Sequence, residues 1–349
     1  MITAIFLGAG ASAAEGAPLQ KDLFREYFKS FKQGDHSNNN IIKNELAEFF
    51  KEIFYIDIDT VDFDKVIFPT FEEVLGILDL AERRKESFRN CGLENIGFDD
   101  NKIRKNRVLL IFLMAKIIHD KLQESKGLHL DLICRLKENG TIKNTCFVIT
   151  NYDILIDNAL ASLYLDPGLS LDYGIDFTDF ENNKDWKKPN KSAIKLFKIH
   201  GSLNWLYCSV CNTLTLTPKE KGVIKILYEE ITCKSCESRL EPIIVPPTFY
   251  KDMSNVFLST VWHKAEQSLR EVDEIIFCGY SFPDADMHIK YLLKRIQTNR
   301  SKPLKVIVYN HHPKKSDELT KAEEERYKRF LGGSVEYKKE SFEDFINSL

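Results

Sequence analysis

The sequence predicts an α/β protein with a doubly wound, mostly parallel, Rossmann-like sheet and a smaller module that is partly helical. Three observations support this prediction. Short apolar runs alternate with segments of helical periodicity along the 349 residues. A glycine-rich turn directly follows the first apolar run, and two Cys-x-x-Cys pairs lie in the second half of the chain.

Five runs of apolar, β-branched or aromatic residues are too short for helices and are predicted as buried strands. They are Ile2–Leu7, Cys146–Thr150, Ile194–Ile199, Glu274–Cys278 and Lys305–Tyr309. Longer segments with helical periodicity separate or flank them. These are Leu19–Phe31, Ile41–Phe54, Phe71–Phe88, Ile103–Gln123, Ile154–Leu163, Val256–Val272, Met287–Gln297 and Leu319–Leu331. Strands separated by helices indicate a parallel sheet that is covered on both faces.

We expect residues 1–349 to form one domain that departs from a simple doubly wound fold in three places. More than a hundred residues separate the first two predicted strands, so 20–145 is expected to contain an inserted helical module. Residues 207–239 are predicted to leave the sheet as an excursion that carries the paired cysteines. Residues 311–349 are predicted to form a C-terminal helical tail. The two insertions, 20–145 and 207–239, are expected to leave from the carboxyl ends of strands, where open α/β sheets bind ligands.

The bulk composition is that of an ordinary folded protein. The chain is 43% hydrophobic and 29% charged, and its net charge of -3 does not indicate a nucleic-acid or membrane-surface binder. Met1–Gly10 lacks the basic leader of a secretory signal, and no apolar run approaches the roughly 18 residues that span a bilayer. We therefore expect a cytoplasmic protein, in which the eight cysteines do not form a disulfide framework.

The turn after the first predicted strand contains Gly8 and Gly10 and continues to Gly16 and Pro18. Glycines allow the backbone to approach a pyrophosphate, and the amide groups of the following helix donate hydrogen bonds to it. The alternative is a tight strand-to-helix turn without a ligand. Gly16 does not have the spacing of the dehydrogenase fingerprint, and no acidic residue follows a second strand about 20 positions on. A hydride-transfer dehydrogenase is therefore disfavoured.

Three polar residues follow two neighbouring predicted strands. Asn151 and Asp153 follow the second strand, and His200 follows the third. An amide, a carboxylate and an imidazole can orient ribose hydroxyls and a water, and the histidine can accept a proton from either. The alternatives are helix capping by Asp153 and a hydrogen-bonded structural histidine. Their occurrence together at two strand ends favours a functional site.

Two cysteine pairs, Cys208-x-x-Cys211 and Cys233-x-x-Cys236, are separated by a polar segment that contains turns. Four thiolates in this pattern suit tetrahedral Zn²⁺ with no open position for a substrate. We therefore predict a structural zinc ribbon, rather than unmetallated or redox thiols. The other cysteines are isolated and are expected to be small buried apolar residues. They are Cys91, Cys134, Cys146 and Cys278.

The ordered combination of these motifs resembles the sirtuin superfamily over nearly the whole chain. The matching segments are Gly8–Ser12 with Gly16–Pro18, Asn151–Asp153, His200-Gly201, the cysteine pairs and Gly279–Ser281. The resemblance implies NAD as the bound substrate, Asn151 and Asp153 around the nicotinamide ribose, and His200 as general base. It also implies that the zinc ribbon is scaffold.

The same resemblance implies a wider set of NAD-binding residues. Ala9 and Ser12 are expected near the phosphates, Gly279 and Ser281 at a phosphate or ribose, and Asn310 at the adenosine end. Gly8, Gly10 and Pro18 complete the set. Alternatives remain, because Gly279 and Ser281 could simply end a strand and Asn310 could cap the following turn.

Two segments depart from the protein-deacylating sirtuins. Pro18 is followed by Leu19-Gln20-Lys21 where those enzymes carry an aromatic residue and an arginine. Where they carry the segment that pairs with the acyl-lysine peptide, this chain has Pro242–Phe249, including Val245–Phe249 with two consecutive prolines that lack amide donors. His200–Trp205 and Gly279–Asp284 resemble instead the sirtuin-like NAD hydrolases of bacterial antiphage defence, which makes water the expected acceptor.

We therefore predict an NAD glycohydrolase that converts NAD⁺ to nicotinamide and ADP-ribose and acts in antiphage defence by depleting NAD. Two alternatives stay open: an NAD-dependent protein deacylase, and a non-catalytic module that senses NAD or ADP-ribose. Such a hydrolase must be restrained, so we expect a homo-oligomer and a separate regulatory partner protein, such as an ATPase. Basic residues surround Trp186, but charge runs are usually solvated faces, and we expect no direct nucleic-acid binding and no membrane partner.

Overall fold

The computed structural model describes residues 1–32, 40–88, 100–122, 125–162, 171–180, 186–190, 192–217, 231–244, 255–312 and 315–349. These residues form two compact units. The first contains Met1–Ala17 and the described residues from Leu122 onward, and the second contains Pro18–Lys121. No helix in the described ranges is both long enough and apolar enough to cross a membrane.

The described strands belong to two sheets. In chain order they are β1 (Thr3–Leu7), β2 (Thr145–Ile149), β3 (Leu171–Asp172), β4 (Asp179–Phe180), β5 (Ile194–Lys198), β6 (Gly201–Cys208), β7 (Thr213–Leu216), β8 (Glu241–Ile244), β9 (Glu274–Cys278), β10 (Lys305–Tyr309) and β11 (Glu336–Lys338). The large sheet has the order β11-β10-β9-β1-β2-β5-β3, and all its neighbours are parallel. The small sheet has the order β4-β7-β6-β8. The predicted mostly parallel, doubly wound sheet is confirmed.

The strand order places a topological switch point between β1 and β9. From β1 the chain adds β2 and β5 on one side, and it later adds β9, β10 and β11 on the other. Leu7 pairs with Ile149 of β2 and with Cys278 of β9, so the three carboxyl ends are level. Open α/β sheets bind ligands in the crevice outside such a point.

The described helices are divided between the two units. In chain order they are α1 (Ala9–Ala14), α2 (Leu23–Lys32), α3 (Asn40–Phe54), α4 (Phe71–Arg84), α5 (Asp100–Lys121), α6 (Leu128–Glu138), α7 (Leu155–Ala161), α8 (Val256–Leu269), α9 (Met287–Thr298), α10 (Asp317–Leu331) and α11 (Phe342–Ser348). In the first unit α6 packs against α7 and α11, and α9 packs against α8 and α10. All five residues of β2 and of β9 are buried, as expected when helices cover both faces of a parallel sheet.

The second unit is a helical module, α2 to α5, with an aromatic core. Phe24, Phe28 and Phe50 are fully buried and stack or meet edge to face with one another and with Phe68. A capping box formed by Thr70 and Glu73 fixes the start of α4. The unit ends at Lys121, whereas α6 belongs to the first unit because its apolar face joins the core around the large sheet.

Several elements differ from those expected. Ala9–Ala14 forms α1 rather than an open glycine turn: its alanines are compatible with a helix, and contacts with residues distant in the sequence hold these six residues in place. The C-terminal tail contains β11 in addition to helices, and this half-exposed edge strand pairs only with β10. Cys134 is exposed on α6, so its predicted burial is wrong: the buried positions Leu132, Ile133 and Leu136 define the opposite face.

At the switch point the backbone after β1 is in direct contact with the backbone after β9. The amide of Gly8 donates to the carbonyl of Cys278 at 3.0 Å, and that of Gly10 donates to Gly279 at 2.7 Å. Gly279 has a φ of +64°, and a Cβ atom there would lie 2.0 Å from the amide nitrogen of Ala11. Only glycine fits this position without moving α1.

Gly279→Ala is expected to lower the free energy of unfolding by about 3 kcal/mol or more, because it adds both backbone strain and a clash with α1. Thermal unfolding should show a fall in Tm of roughly 6 °C or more. Gly333→Ala is the control, since nothing lies within 4 Å of a Cβ atom there. Equal Tm values for the two variants would contradict the close packing at Gly279.

Candidate functional site

Asn151 and Asp153 meet α1 at the carboxyl end of β2. The hydroxyl of Ser12 donates to Oδ2 of Asp153 at 2.7 Å and accepts from Nδ2 of Asn151 at 2.6 Å. Nδ2 of Asn151 also donates to the carbonyl of Gly8 at 2.9 Å. Ser12 and Asp153 are buried, while Asn151 is half-buried. The turn after β1 and the loop after β2 therefore share one hydrogen-bonded cluster beside the switch point.

The network fixes the orientation of the Asn151 amide. The carbonyl of Gly8 can only accept a hydrogen bond, so the neighbouring amide atom must be nitrogen. Both amide hydrogens are used, towards Gly8 and Ser12, which leaves Oδ1 to accept a hydrogen bond from a ligand hydroxyl or a water. Oδ1 of Asp153 accepts the amide of Leu155 at 3.2 Å, so this carboxylate also orders the start of α7.

His200 lies two residues after the end of β5, the strand next to β2 in the sheet, and its side chain is buried. Its Nδ1 lies 3.2 Å from the carbonyl oxygen of Thr150, the residue before Asn151. Because a carbonyl only accepts, Nδ1 carries the proton and the basic lone pair of the neutral ring is on Nε2. This tautomer is the one that a general base facing away from Thr150 requires.

Gly201 and Trp262 hold the turn that contains His200. Gly201 has a φ of +82°, and a Cβ atom there would lie 2.2 Å from the carbonyl oxygen of Ile243. The indole Nε1 of Trp262, on α8, donates to the carbonyl of Ile199 at 2.7 Å. The rings of Trp262 and Tyr152 have centroids 6.5 Å from that of His200. Two aromatic rings therefore lie near the imidazole of His200.

Sequence reasoning missed a group of buried polar residues beneath this cluster. Lys198 donates to the carbonyl of Asp153 at 2.5 Å and to the carboxylate of Asp157 at 2.9 Å. Tyr173 donates to the other oxygen of Asp157 at 2.9 Å. A lysine within an otherwise apolar strand was the available signal, since buried lysines require a partner.

The remaining expected NAD-binding residues do not all join the cluster. Ala9 and Ser281 are exposed, and Gly279 is accounted for by its packing against α1. The side chain of Asn310 donates to Oε1 of the buried Glu323 at 2.6 Å, beyond the end of β10. Pro18 is the first residue of the second unit. The segment Val245–Phe249 and Cys91 lie outside the described residues.

Glu15 anchors the end of α1. Its carboxylate accepts the backbone amides of Gly127 and His129 at 2.9 and 2.8 Å and lies 2.9 Å from Nδ1 of His129. Burial alone would raise the pKa of Glu15, but the hydrogen bonds and charge of His129 outweigh it and lower the pKa to about 2. Ser12 and Glu15 thus hold the two ends of the helix that borders the cluster.

The four paired cysteines converge at the end of β6, in the small sheet, and in the turns beside it. Their sulfur atoms all lie within 4.8 Å of one another, with Cys208 and Cys236 at 3.5 Å and Cys211 and Cys233 at 3.9 Å. Four sulfurs bound to one zinc at about 2.3 Å lie roughly 3.8 Å apart, so this set fits the ion. A hydrogen bond with the Ser238 side chain is the main cause that lowers the pKa of Cys236 to about 6, while the hydrogen bond with Cys236 is the main cause that raises the pKa of Cys211 to about 12.

Comparison with known proteins assigns the chain to a family. The family model of the SIR2-like domain matches residues 145–331, more than half of the chain. No curated protein matches. A Sir2–p53 peptide–NAD⁺ complex is 16% identical and has a TM-score of 0.42, with 99% of this chain and 91% of that chain covered. Sir2 bound to an acetylated peptide is 15% identical at a TM-score of 0.40, with the same coverage. At this sequence identity and TM-score, the two structures do not indicate which ligand this chain binds or which reaction it catalyses.

Glu15→Gln is expected to reduce the pH dependence of stability below pH 4.5. The folded-state pKa lies below the ordinary value of 4.5, so the stabilisation by the carboxylate is complete above pH 4.5 and disappears as the pH falls to about 2. The difference in free energy of unfolding between the native chain and Glu15→Gln should be on the order of 3 kcal/mol at pH 6 and shrink towards pH 2. Denaturant unfolding measures it, with the exposed Glu325→Gln as control; a difference that does not change with pH would contradict the account.

Metal analysis should find one zinc per chain. Cys236→Ser is expected to lose most of this zinc and to lower Tm, because three thiolates remain around an ion that prefers four. Cys134→Ser changes an exposed, isolated cysteine on α6 and should retain both zinc and Tm. A metal-free native chain whose Tm is unchanged by a chelator would contradict a structural zinc ribbon.

Proposed function

Since the chain belongs to the SIR2-like domain family, we propose that it cleaves the nicotinamide–ribose bond of NAD⁺ and transfers the ADP-ribosyl group to water. Membership agrees with the resemblance to sirtuins in the sequence. One observation carries the proposal: Ser12, Asn151 and Asp153 form a connected cluster at the switch point of a parallel sheet, with His200 on the neighbouring strand end. Dinucleotides bind at such a point, and this cluster offers the polar groups that a ribose needs.

The orientation of each side chain supports a specific role. Oδ1 of Asn151 faces away from its two internal partners and would accept a ribose hydroxyl or the attacking water. Asp153 has both oxygens engaged, so its role is to hold Ser12 and Asn151 in place and to add negative charge nearby. Nε2 of His200 would accept the proton from a ribose hydroxyl or from water.

The reaction needs little acid assistance because nicotinamide leaves NAD⁺ as a neutral molecule from a cationic ring. Bond cleavage generates positive charge on the ribose carbon, as in the oxocarbenium-like transition state of glycoside hydrolysis. The buried Asp153 carboxylate would stabilise that charge. Water then forms the new bond to the ribose carbon, and its proton passes to His200, so the products are nicotinamide and ADP-ribose.

Support for water as the acceptor comes from the sequence. His200–Trp205 and Gly279–Asp284 resemble the corresponding segments of sirtuin-like NAD hydrolases of antiphage defence. We extend the proposal to that setting: the chain depletes NAD during infection, and assembly into an oligomer or a separate regulatory partner controls it. Activity that rises with protein concentration in parallel with self-association would support control by assembly.

Asn151→Ala and His200→Ala are expected to reduce nicotinamide release at least 100-fold, because each removes a group that acts on the ribose or its acceptor. Mass spectrometry of NAD⁺ incubated with each purified protein measures nicotinamide and ADP-ribose. The exposed Asn158 and His263 supply the matched controls Asn158→Ala and His263→Ala, which should keep native rates.

Other outcomes identify the competing functions. Nicotinamide that forms only when an acylated peptide is present would indicate a protein deacylase. NAD⁺ that stays bound and intact at every protein concentration would indicate a sensing module. Native rates in both Asn151→Ala and His200→Ala would refute the site itself.

A further inference from the structure

Lys198 is a fully buried lysine that belongs to no part of the reaction described above. Its side chain has no solvent exposure, and Nζ lies 2.5 Å from the carbonyl oxygen of Asp153 and 2.9 Å from Oδ2 of Asp157. Asp157 is itself buried and accepts a second hydrogen bond from Tyr173. Both charged groups are therefore paired and hydrogen-bonded inside the first unit.

The bonds of Lys198 join the two loops from which the cluster projects. Lys198 is the last residue of β5 and lies two positions before His200, whereas Asp153 lies in the loop after β2. In the sheet Lys198 pairs with Ile149, the last residue of β2. Its side chain extends past the ends of these two strands to the carbonyl of Asp153 and the carboxylate of Asp157. The contact between His200 and the carbonyl of Thr150 also joins these two segments, and the amide of Leu203 in β6 donates to the carbonyl of Tyr152 at 3.0 Å.

Stability alone does not account for a charged pair at this position. Removing a charge from water costs several kcal/mol, and apolar residues of similar volume often stabilise a core equally well or better. The neighbouring residues Leu196 and Phe197 show that this part of β5 packs apolar side chains without difficulty. What an ammonium group adds is direction, because its hydrogen bonds fix the Asp153 carbonyl in one place.

We propose that Lys198 is a positioning residue: with Asp157 as its counter-ion, it ties the loop that carries Asn151 and Asp153 to β5 and so sets their placement relative to His200. This inference rests on the proposed NAD cleavage at the same cluster. Lys198 touches neither the ribose nor the acceptor in this scheme. Its effect passes through the backbone of Asp153.

The test compares variants that remove the pair with one that removes a similar lysine elsewhere. Lys198→Met alone leaves Asp157 buried without its counter-ion, so the main variant is Lys198→Met/Asp157→Leu/Tyr173→Phe, which replaces the whole charged and hydrogen-bonded group by apolar side chains. Asp157→Asn is the second variant: it keeps the size of the side chain and one acceptor oxygen, although Lys198 loses its counter-ion. Lys294→Met is the matched control, because Lys294 also donates to a backbone carbonyl, that of Phe330, and to a side-chain oxygen, that of Gln297, but bonds no residue of the cluster.

Two readouts separate positioning from folding. The triple variant should have a Tm within a few degrees of the native chain, a kcat for nicotinamide release reduced at least tenfold, and a KM for NAD⁺ changed less than about threefold. The second readout is the ¹⁵N signal of the His200 ring, assigned by its loss in His200→Gln. This signal should shift in the triple variant and in Asp157→Asn and stay unchanged in Lys294→Met.

A folded triple variant with native kcat and an unshifted His200 signal would overturn the inference. If the triple variant does not fold, the same two readouts on Asp157→Asn decide, and native values there overturn it. If the native chain releases no nicotinamide, the proposed function fails. The His200 signal then still decides whether Lys198 positions the cluster, so the two failures are distinguishable.

Discussion

The hydroxyl of Ser12 is the interaction on which the arrangement of the candidate site depends. It donates to Asp153 and accepts from Asn151, so one oxygen joins the helix after β1 to the loop after β2. Glu15 secures the other end of the same helix, and Gly279, directly after β9, packs against its first turn. Because α1 contains only six residues, these contacts rather than helix propensity hold it in place. Loss of any of them would move the backbone that borders the switch point.

The central sheet was predictable because strands buried on both faces of a parallel sheet are continuous apolar runs. All five predicted strands form within one or two residues of their expected bounds. The small sheet was not predicted. In β6 the polar residues Ser202 and Asn204 are buried and bond to each other, so both faces of the strand are buried although its sequence is not a continuous apolar run. Helix α1 and the edge strand β11 depend on neighbours distant in the sequence.

The candidate site was only partly predictable for a similar reason. Residues at strand ends can be located from the strands, which is why Asn151, Asp153 and His200 could be selected as candidates from the sequence. Their partners lie far away in the chain, with more than 130 positions between Ser12 and Asn151 or Asp153. A single sequence does not reveal that Ser12 bonds to these two side chains. Charged residues in apolar surroundings, such as Lys198, were the overlooked signal.

Together the contacts describe a site in which hydrogen bonds within the protein orient each polar group before a ligand binds. Asn151 is left with one acceptor oxygen, and the carbonyl of Thr150 orients the ring of His200 through Nδ1. The most direct test is the product balance when purified chain acts on NAD⁺ in the absence of any acylated peptide. The account predicts equal amounts of nicotinamide and free ADP-ribose. Recovery of intact NAD⁺ at all protein concentrations, or nicotinamide release only with an acylated peptide, would contradict it.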